Sequence, residues 1–278
     1  MENRNFHYAY RILMGILLVE YLIIQLSGVG LHALVGNPLF SLPADPVSWL
    51  PFLAAIPGIL LWNLTGAWFF DIFLLLILVA LFLNPLRQLP GIVGCILSFL
   101  FFVTMMSRHI HWNFQEGMFI VLFPLVFKRI RSKLFAFEAI RYFLLFFYGS
   151  AGLLKLLSGS YLNSQHLSHL LTGQFGPYFL EGNTGWRTSV HLFLVNHSGI
   201  SYFLFLGSIV LELFAFVGFF TRRFDPFIAL SLLLFHLADW VIMDIAPFGQ
   251  LAFICLLFFS RSLLRNSSTA GDFAIRNA

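Results

Sequence analysis

Eight runs in this chain are apolar for so long that they have no stable place in water: roughly 11–31, 65–84, 90–108, 111–127, 134–157, 200–220, 226–244 and 248–264. A helix crosses the hydrocarbon core of a bilayer with about 20 mostly apolar residues. Lipid offers backbone N–H and C=O groups no partner, so a span must satisfy them internally. The pattern predicts an all-α, polytopic membrane helical bundle of about eight transmembrane helices. The fourth run is the weakest, its strongly apolar part being only 118–127. The stretch 51–63 is apolar but short and broken by Pro57, and reads as re-entrant or interfacial. One transmembrane domain over 1–265 is expected, followed by a disordered tail at 266–278. The first run contains Glu20 and lacks a small-residue cleavage site, which marks a spanning helix and not a removed signal peptide.

Composition agrees. Charged residues are 10% of the chain and apolar residues 59%, against about 25% charged in soluble domains. Membrane lipid is the expected partner. The net charge of +4 is distributed by topology and suggests no nucleic-acid partner. The two cysteines, Cys95 and Cys255, lie inside apolar runs, which argues against a disulfide framework or a Cys-based metal site.

Cytoplasmic loops are enriched in Lys and Arg. With the N-terminus inside, the inner segments carry Arg4, Arg11, Arg87, Lys128, Arg129, Arg131, Lys133, Arg222, Arg223, Arg261, Arg265 and Arg276. The outer ones carry only Arg108, Arg187 and, at a helix end, Lys155. The expectation is a multi-pass protein with both termini cytoplasmic and the segment 158–199 outside, packed back as short helices. His32, His109, His111, His166, His169, His191 and His197 then all fall outside. They make a weak case for metal, because no carboxylate or cysteine stands at a recognisable ligand spacing beside them. No metal site is expected.

Ionisable side chains inside spans are costly and mark functional candidates. They are Glu20, Asp71, Glu138, Arg141, Lys155, Glu212 and His236. Glu138 and Arg141 are spaced i,i+3 and can pair structurally. Lys155 ends a run rich in small residues, Gly149-Ser150-Ala151-Gly152, that lets a neighbouring helix approach closely. A lysine stripped of hydration there is usable as a general base; the alternative is a lysine snorkelling to the headgroups. His236 sits within the seventh run, with Asp239 and Trp240 one turn further on. It can bond a ligand oxygen or move a proton, or it can be a satisfied interhelical histidine. Glu212, Asp71 and Glu20 are each either site residues or polar packing residues.

The run Tyr148-Gly149-Ser150-Ala151-Gly152-Leu153-Leu154-Lys155-Leu156 resembles a signature of the membrane domain shared by vitamin K-dependent gamma-carboxylase and the bacterial HTTM proteins. So does Phe235-His236-Leu237, with Phe248-Gly249-Gln250-Leu251-Ala252-Phe253 after it, and the N-terminal Tyr10-Arg11-Ile12-Leu13-Met14-Gly15. The resemblance covers about 8–265. It implies a quinol-dependent enzyme in which Lys155 deprotonates a reduced quinone of the vitamin K type. His236 would line the quinone site with Glu212 and Trp240. Oxygenation or carboxylation-type chemistry on a substrate would follow, with the bacterial inner membrane as location. The chain departs from the carboxylase in three places. In the carboxylase a large soluble domain follows the membrane region; none is expected here. His111-Trp112-Asn113 stands where an Asn-His pair is expected, and Ser158-Gly159-Ser160-Tyr161 replaces the polar pattern after the lysine. A second reading stays open, a non-enzymatic accessory or maturation factor for a secreted peptide client. A third is a transporter or lipid-binding protein, although no inverted repeat is visible.

Overall fold

The computed structural model describes residues 2–28, 30–35, 63–106, 116–180, 185–245 and 249–275. Twelve α-helices follow one another along these residues. They are α1 Glu2–Leu26, α2 Leu31–Leu34, α3 Leu64–Leu83, α4 Gln88–Met106, α5 Glu116–Leu122, α6 Ile130–Leu157, α7 His166–Leu180, α8 Trp186–Asn196, α9 Ser198–Phe214, α10 Val217–Phe220, α11 Asp225–Met243 and α12 Gln250–Ile275. No strand occurs among the described residues. The all-helical expectation holds.

Six helical stretches are long and apolar enough to cross a membrane: Arg4–Ala33, Leu64–Leu83, Gln88–Met105, Ile130–Leu157, Ser198–Phe220 and Arg222–Met243. The fourth and eighth runs of the sequence coincide with two shorter apolar helices, Gly117–Val126 and Gln250–Leu263. The stretch expected to be re-entrant, and His109 and His111, lie outside the described residues.

The faces of these helices identify the solvent. On α3 one stripe, Ala67, Phe70, Asp71, Leu74, Leu78 and Leu81, is buried. The opposite side presents Phe69, Ile72, Phe73 and Leu76, all exposed. A water-facing helix puts polar residues there. Leaving one large apolar side chain in water forgoes about 1.5–3 kcal/mol, and many helices here do so repeatedly. The exposed faces are built for lipid, and the protein is an integral membrane protein.

The contacts divide the chain, for which the sequence predicts a single domain, into two compact units. One comprises Met1–Arg141 with Pro247–Ala278, the other Tyr142–Ala246. In the first, α1 buries the stripe Phe6, Tyr10, Leu13, Leu17, Tyr21 and Ile24 and packs on α3 and α12. Its polar residues serve backbone and side-chain needs. Glu20 Oε1 accepts the N–H groups of Gly249 at 3.1 Å and Leu251 at 3.0 Å, satisfying donors that the start of α12 leaves open. Asp71 accepts the Tyr21 hydroxyl at 3.0 Å, the His32 backbone N–H at 3.1 Å and His32 Nδ1–H at 2.8 Å. Trp68 stacks on the His32 ring at 3.7 Å. Glu138 and Arg141 form the expected i,i+3 pair at 3.6 Å.

In the second unit, α7 and α8 pack on α9 around Leu167, Leu171, Phe175, Leu194, Phe205 and Ile209. Among the described residues of the segment 158–199, α7 and α8 are thus short helices that share an apolar core with α9. α11 lies beside α9, and the reversal between them is a 3-10 turn in which Thr221 Oγ1 accepts the Arg223 N–H.

Candidate functional site: a lysine–glutamate pair on an apolar cavity

Within the second unit α6 and α9 cross antiparallel at residues without side chains. A Cβ on Gly149 would meet the Phe216 ring at 2.7 Å, and one on Gly152 would meet Glu212 Cβ and the Leu213 backbone N at 3.0 Å. The small-residue run therefore permits the close helix approach expected of it. The next turn places Lys155 Nζ against Glu212, donating to Oε1 at 2.8 Å.

The sequence puts Lys155 at the outer end of its helix. In the structure α6 stops partway along α9. The chain then continues beside the first turns of α9, with the Tyr202 hydroxyl donating to Tyr161 O at 2.9 Å and the His166 ring 4.8 Å from that of Phe205. Lys155 reaches the C-terminal turns of α9, where Glu212 is 5% exposed. The α6 terminus is closed locally. Ser158 Oγ and Ser160 Oγ both donate to the Lys155 carbonyl, at 2.9 and 3.0 Å, and Gly159 takes the left-handed conformation that the turn requires.

A cavity of about 990 Å³ adjoins the pair. Its wall is mostly apolar, leucine and phenylalanine foremost, from α7, α9 and α11, with Lys155, Asp239, Ser158, Ser160, Asn163, His166 and Ser208 as its polar members. The ammonium lies 5.6 Å from the Phe235 ring centroid. Glu212 Oε2 is buried without a hydrogen-bond partner among the described residues.

The other sequence candidates fall around this centre differently. His236 is buried and its Nε2 is hydrogen-bonded to the Tyr148 hydroxyl at 2.6 Å. It is not part of the cavity wall. The Phe235 ring neighbours both, 5.2 Å from the imidazole by centroids and 5.6 Å from the Lys155 ammonium. The amine and the imidazole are therefore near enough for one small ligand to influence both. Trp240 is elsewhere. Its ring, like that of Trp186, lies 5.4 Å from the Arg187 guanidinium, which also pairs with Asp244. Among the described residues no group of three or more His, Cys, Asp or Glu side chains could hold a metal.

Two residues carry more than the sequence reading gave them. Tyr148 stands in the small-residue run but was not singled out as the partner of His236. Asp239 was noted only as a neighbour of His236. The i,i+4,i+7 spacing of Phe235, Asp239 and Ile242 was the available signal, and all three share the cavity wall.

No protein-family model, curated protein or solved structure matches this chain.

Proposed function

We propose that this chain is a quinol-dependent integral membrane enzyme of the vitamin K-dependent gamma-carboxylase-like, HTTM-containing family. The observation that carries the reading is Lys155 in the wall of an apolar cavity, ion-paired to a buried glutamate. The volume falls at the upper end of the range for small-molecule sites, about 300–1,000 Å³. The leucines and phenylalanines of the wall suit an isoprenoid tail, and the polar group at Lys155 and Asp239 suits a ring bearing hydroxyls. When bound, the reduced quinone supplies the electrons that oxygenation chemistry consumes.

The chain's own residues have separable tasks. Lys155 passes a proton to Glu212 Oε1, so one N–H bond breaks and one O–H bond forms. The neutral amine is then free to take a proton from a hydroxyl in the cavity. Glu212 holds the amine in place throughout. Tyr148 fixes the imidazole of His236 beside Phe235.

The topology we propose has eight spans, counting the two shorter helices, with both termini in the cytoplasm of a bacterial inner membrane. A cysteine introduced at Asn183 should be labelled from outside and one at Ser132 should not. The reverse pattern would invert the topology.

The activity test uses protein in nanodiscs with a reduced naphthoquinone and oxygen. Quinone epoxide should form, and Lys155→Ala should abolish it in a protein that still folds. Turnover by Lys155→Ala at the native rate would remove the lysine from the chemistry. No turnover by the native protein, together with a peptide that co-purifies, would favour the accessory-factor reading.

A further inference from the structure

A lipid bilayer competes for any apolar cavity within it, and a lysine in the wall ordinarily recruits lipid phosphates or fatty-acid carboxylates. Here the charges oppose that. Lys155 is ion-paired to Glu212 at 2.8 Å, so the pair has no net charge. Asp239 shares the cavity wall one helical turn from Phe235, over whose ring the ammonium sits. It brings a second carboxyl with no second cation beside it. Lys155, His166 and Asp239 are the titratable side chains of the wall, and the His166 ring is turned against Phe205. With His166 neutral, the polar end of the cavity is negative or neutral whether Asp239 is ionised or protonated.

We infer that Asp239, together with the Lys155–Glu212 pair, makes this cavity selective for single-tailed amphiphiles whose head is uncharged and donates a hydrogen bond, and closes it to anionic ones. The inference rests on the functional reading only in taking the cavity as a ligand site. An anionic head would meet a lysine whose charge Glu212 already neutralises; to gain the full ion pair it would have to displace Glu212, leaving a buried carboxylate unpaired, which is costly. It would also face Asp239. A hydroxyl head needs neither change, because it donates to Asp239 and leaves the ion pair intact. Asp239 is thus a specificity residue, and the free-lysine attraction for lipid headgroups is cancelled from within the fold.

The test compares two probes of equal ring and tail, para-nonylphenol and para-nonylbenzoate, on full-length protein in nanodiscs. It is run at about pH 8, where imidazoles are neutral. Binding is read by native mass spectrometry and by ligand-induced change in Tm. The native protein should favour the phenol by about tenfold or more, a difference of about 1.4 kcal/mol. Glu212→Gln frees the ammonium and should raise benzoate affinity by about the same factor. Asp239→Asn should lower phenol affinity and narrow the preference. A native protein that binds benzoate as well as phenol, or binds neither, overturns the inference, and so does a Glu212→Gln protein with unchanged selectivity. Neither probe is a quinol. Phenol selectivity without quinone epoxide formation would therefore sink the enzyme reading and leave this one standing, and turnover without selectivity would do the opposite.

Discussion

Lys155 meets Glu212 at 2.8 Å because Gly152, one turn earlier, lets the backbone of α9 come within contact distance of α6. The ion pair is a consequence of helix packing: a side chain at 152 would hold the two helices apart and stretch the bond. Gly152→Ala should therefore destabilise, although alanine is the better helix former. The helix gain is about 0.5–1 kcal/mol, whereas overpacking against a backbone atom that cannot rotate away costs about 1–3 kcal/mol. Gly173→Ala in α7 is the matched control. A Cβ there has nothing within 4 Å, so stability should rise by the helix gain alone. Tm in detergent checks both. Equal shifts in the two variants would mean that the crossing has slack.

Tyr148 and His236 form a coupled pair set back from the cavity. Tyr148→Phe removes one partner of a buried 2.6 Å hydrogen bond, at about 1–3 kcal/mol. His236→Gln alone should cost a similar amount. In a double-mutant cycle the two should fall short of additive by at least about 0.5 kcal/mol. Strict additivity would show that the two side chains act independently, and His236 would need another role.

Glu20 is the corresponding test in the other unit. Its carboxylate accepts two N–H groups around the start of α12, from residues far away in sequence. Glu20→Ala should cost about 1–3 kcal/mol, since those buried donors lose their acceptor. Glu20→Gln keeps one acceptor oxygen and should cost less. Hydrogen exchange at Gly249 and Leu251 reads the effect locally, and unchanged protection there would reject the capping role.

Six of the eight expected spans were legible because lipid imposes one rule on every crossing helix: about twenty apolar residues with polar groups at the ends. Residues such as Leu13, Leu17, Leu74 and Leu78 obey it, and all are buried stripes of spans in the structure. The importance of Lys155, Glu212 and His236 was legible for the converse reason, since each breaks the rule. Their partners were not. The pairing of Lys155 with Glu212 depends on where α6 stops along α9, and hydropathy carries no information on the register between two apolar helices. Trp240 shares a helix face with His236, four residues before it, and neither belongs to the cavity wall; the Trp240 ring lies beside Arg187 instead. Asp239 shares its face with Phe235, four residues before it, and those two line the wall.

His191 supplies a pH dependence whose sign follows from its surroundings. It lies on α8, outside the spans, 4% exposed, with its ring stacked 3.9 Å from that of Phe175. Burial pushes its pKa below the usual 6.5, opposed by backbone carbonyls of Val241 and Ile242 and by Asp244, and aided by Arg187. Its Nε2 is buried with no hydrogen-bond partner among the described residues, so a proton added there would have no acceptor. The folded protein therefore binds this proton more weakly than the unfolded chain does. The stabilisation is complete above the ordinary value and is lost as pH falls through the depressed folded value. Acidification from about pH 7.5 to about pH 5 should lower the Tm of the native protein. His191→Gln cannot take up a proton in that range, and it should start less stable but show a shallower slope. Trp186 fluorescence should report the same transition, because that residue opens α8. Parallel slopes for native protein and variant would place the acid sensitivity elsewhere. A native Tm flat over that range would show that the imidazole is as easily protonated folded as unfolded.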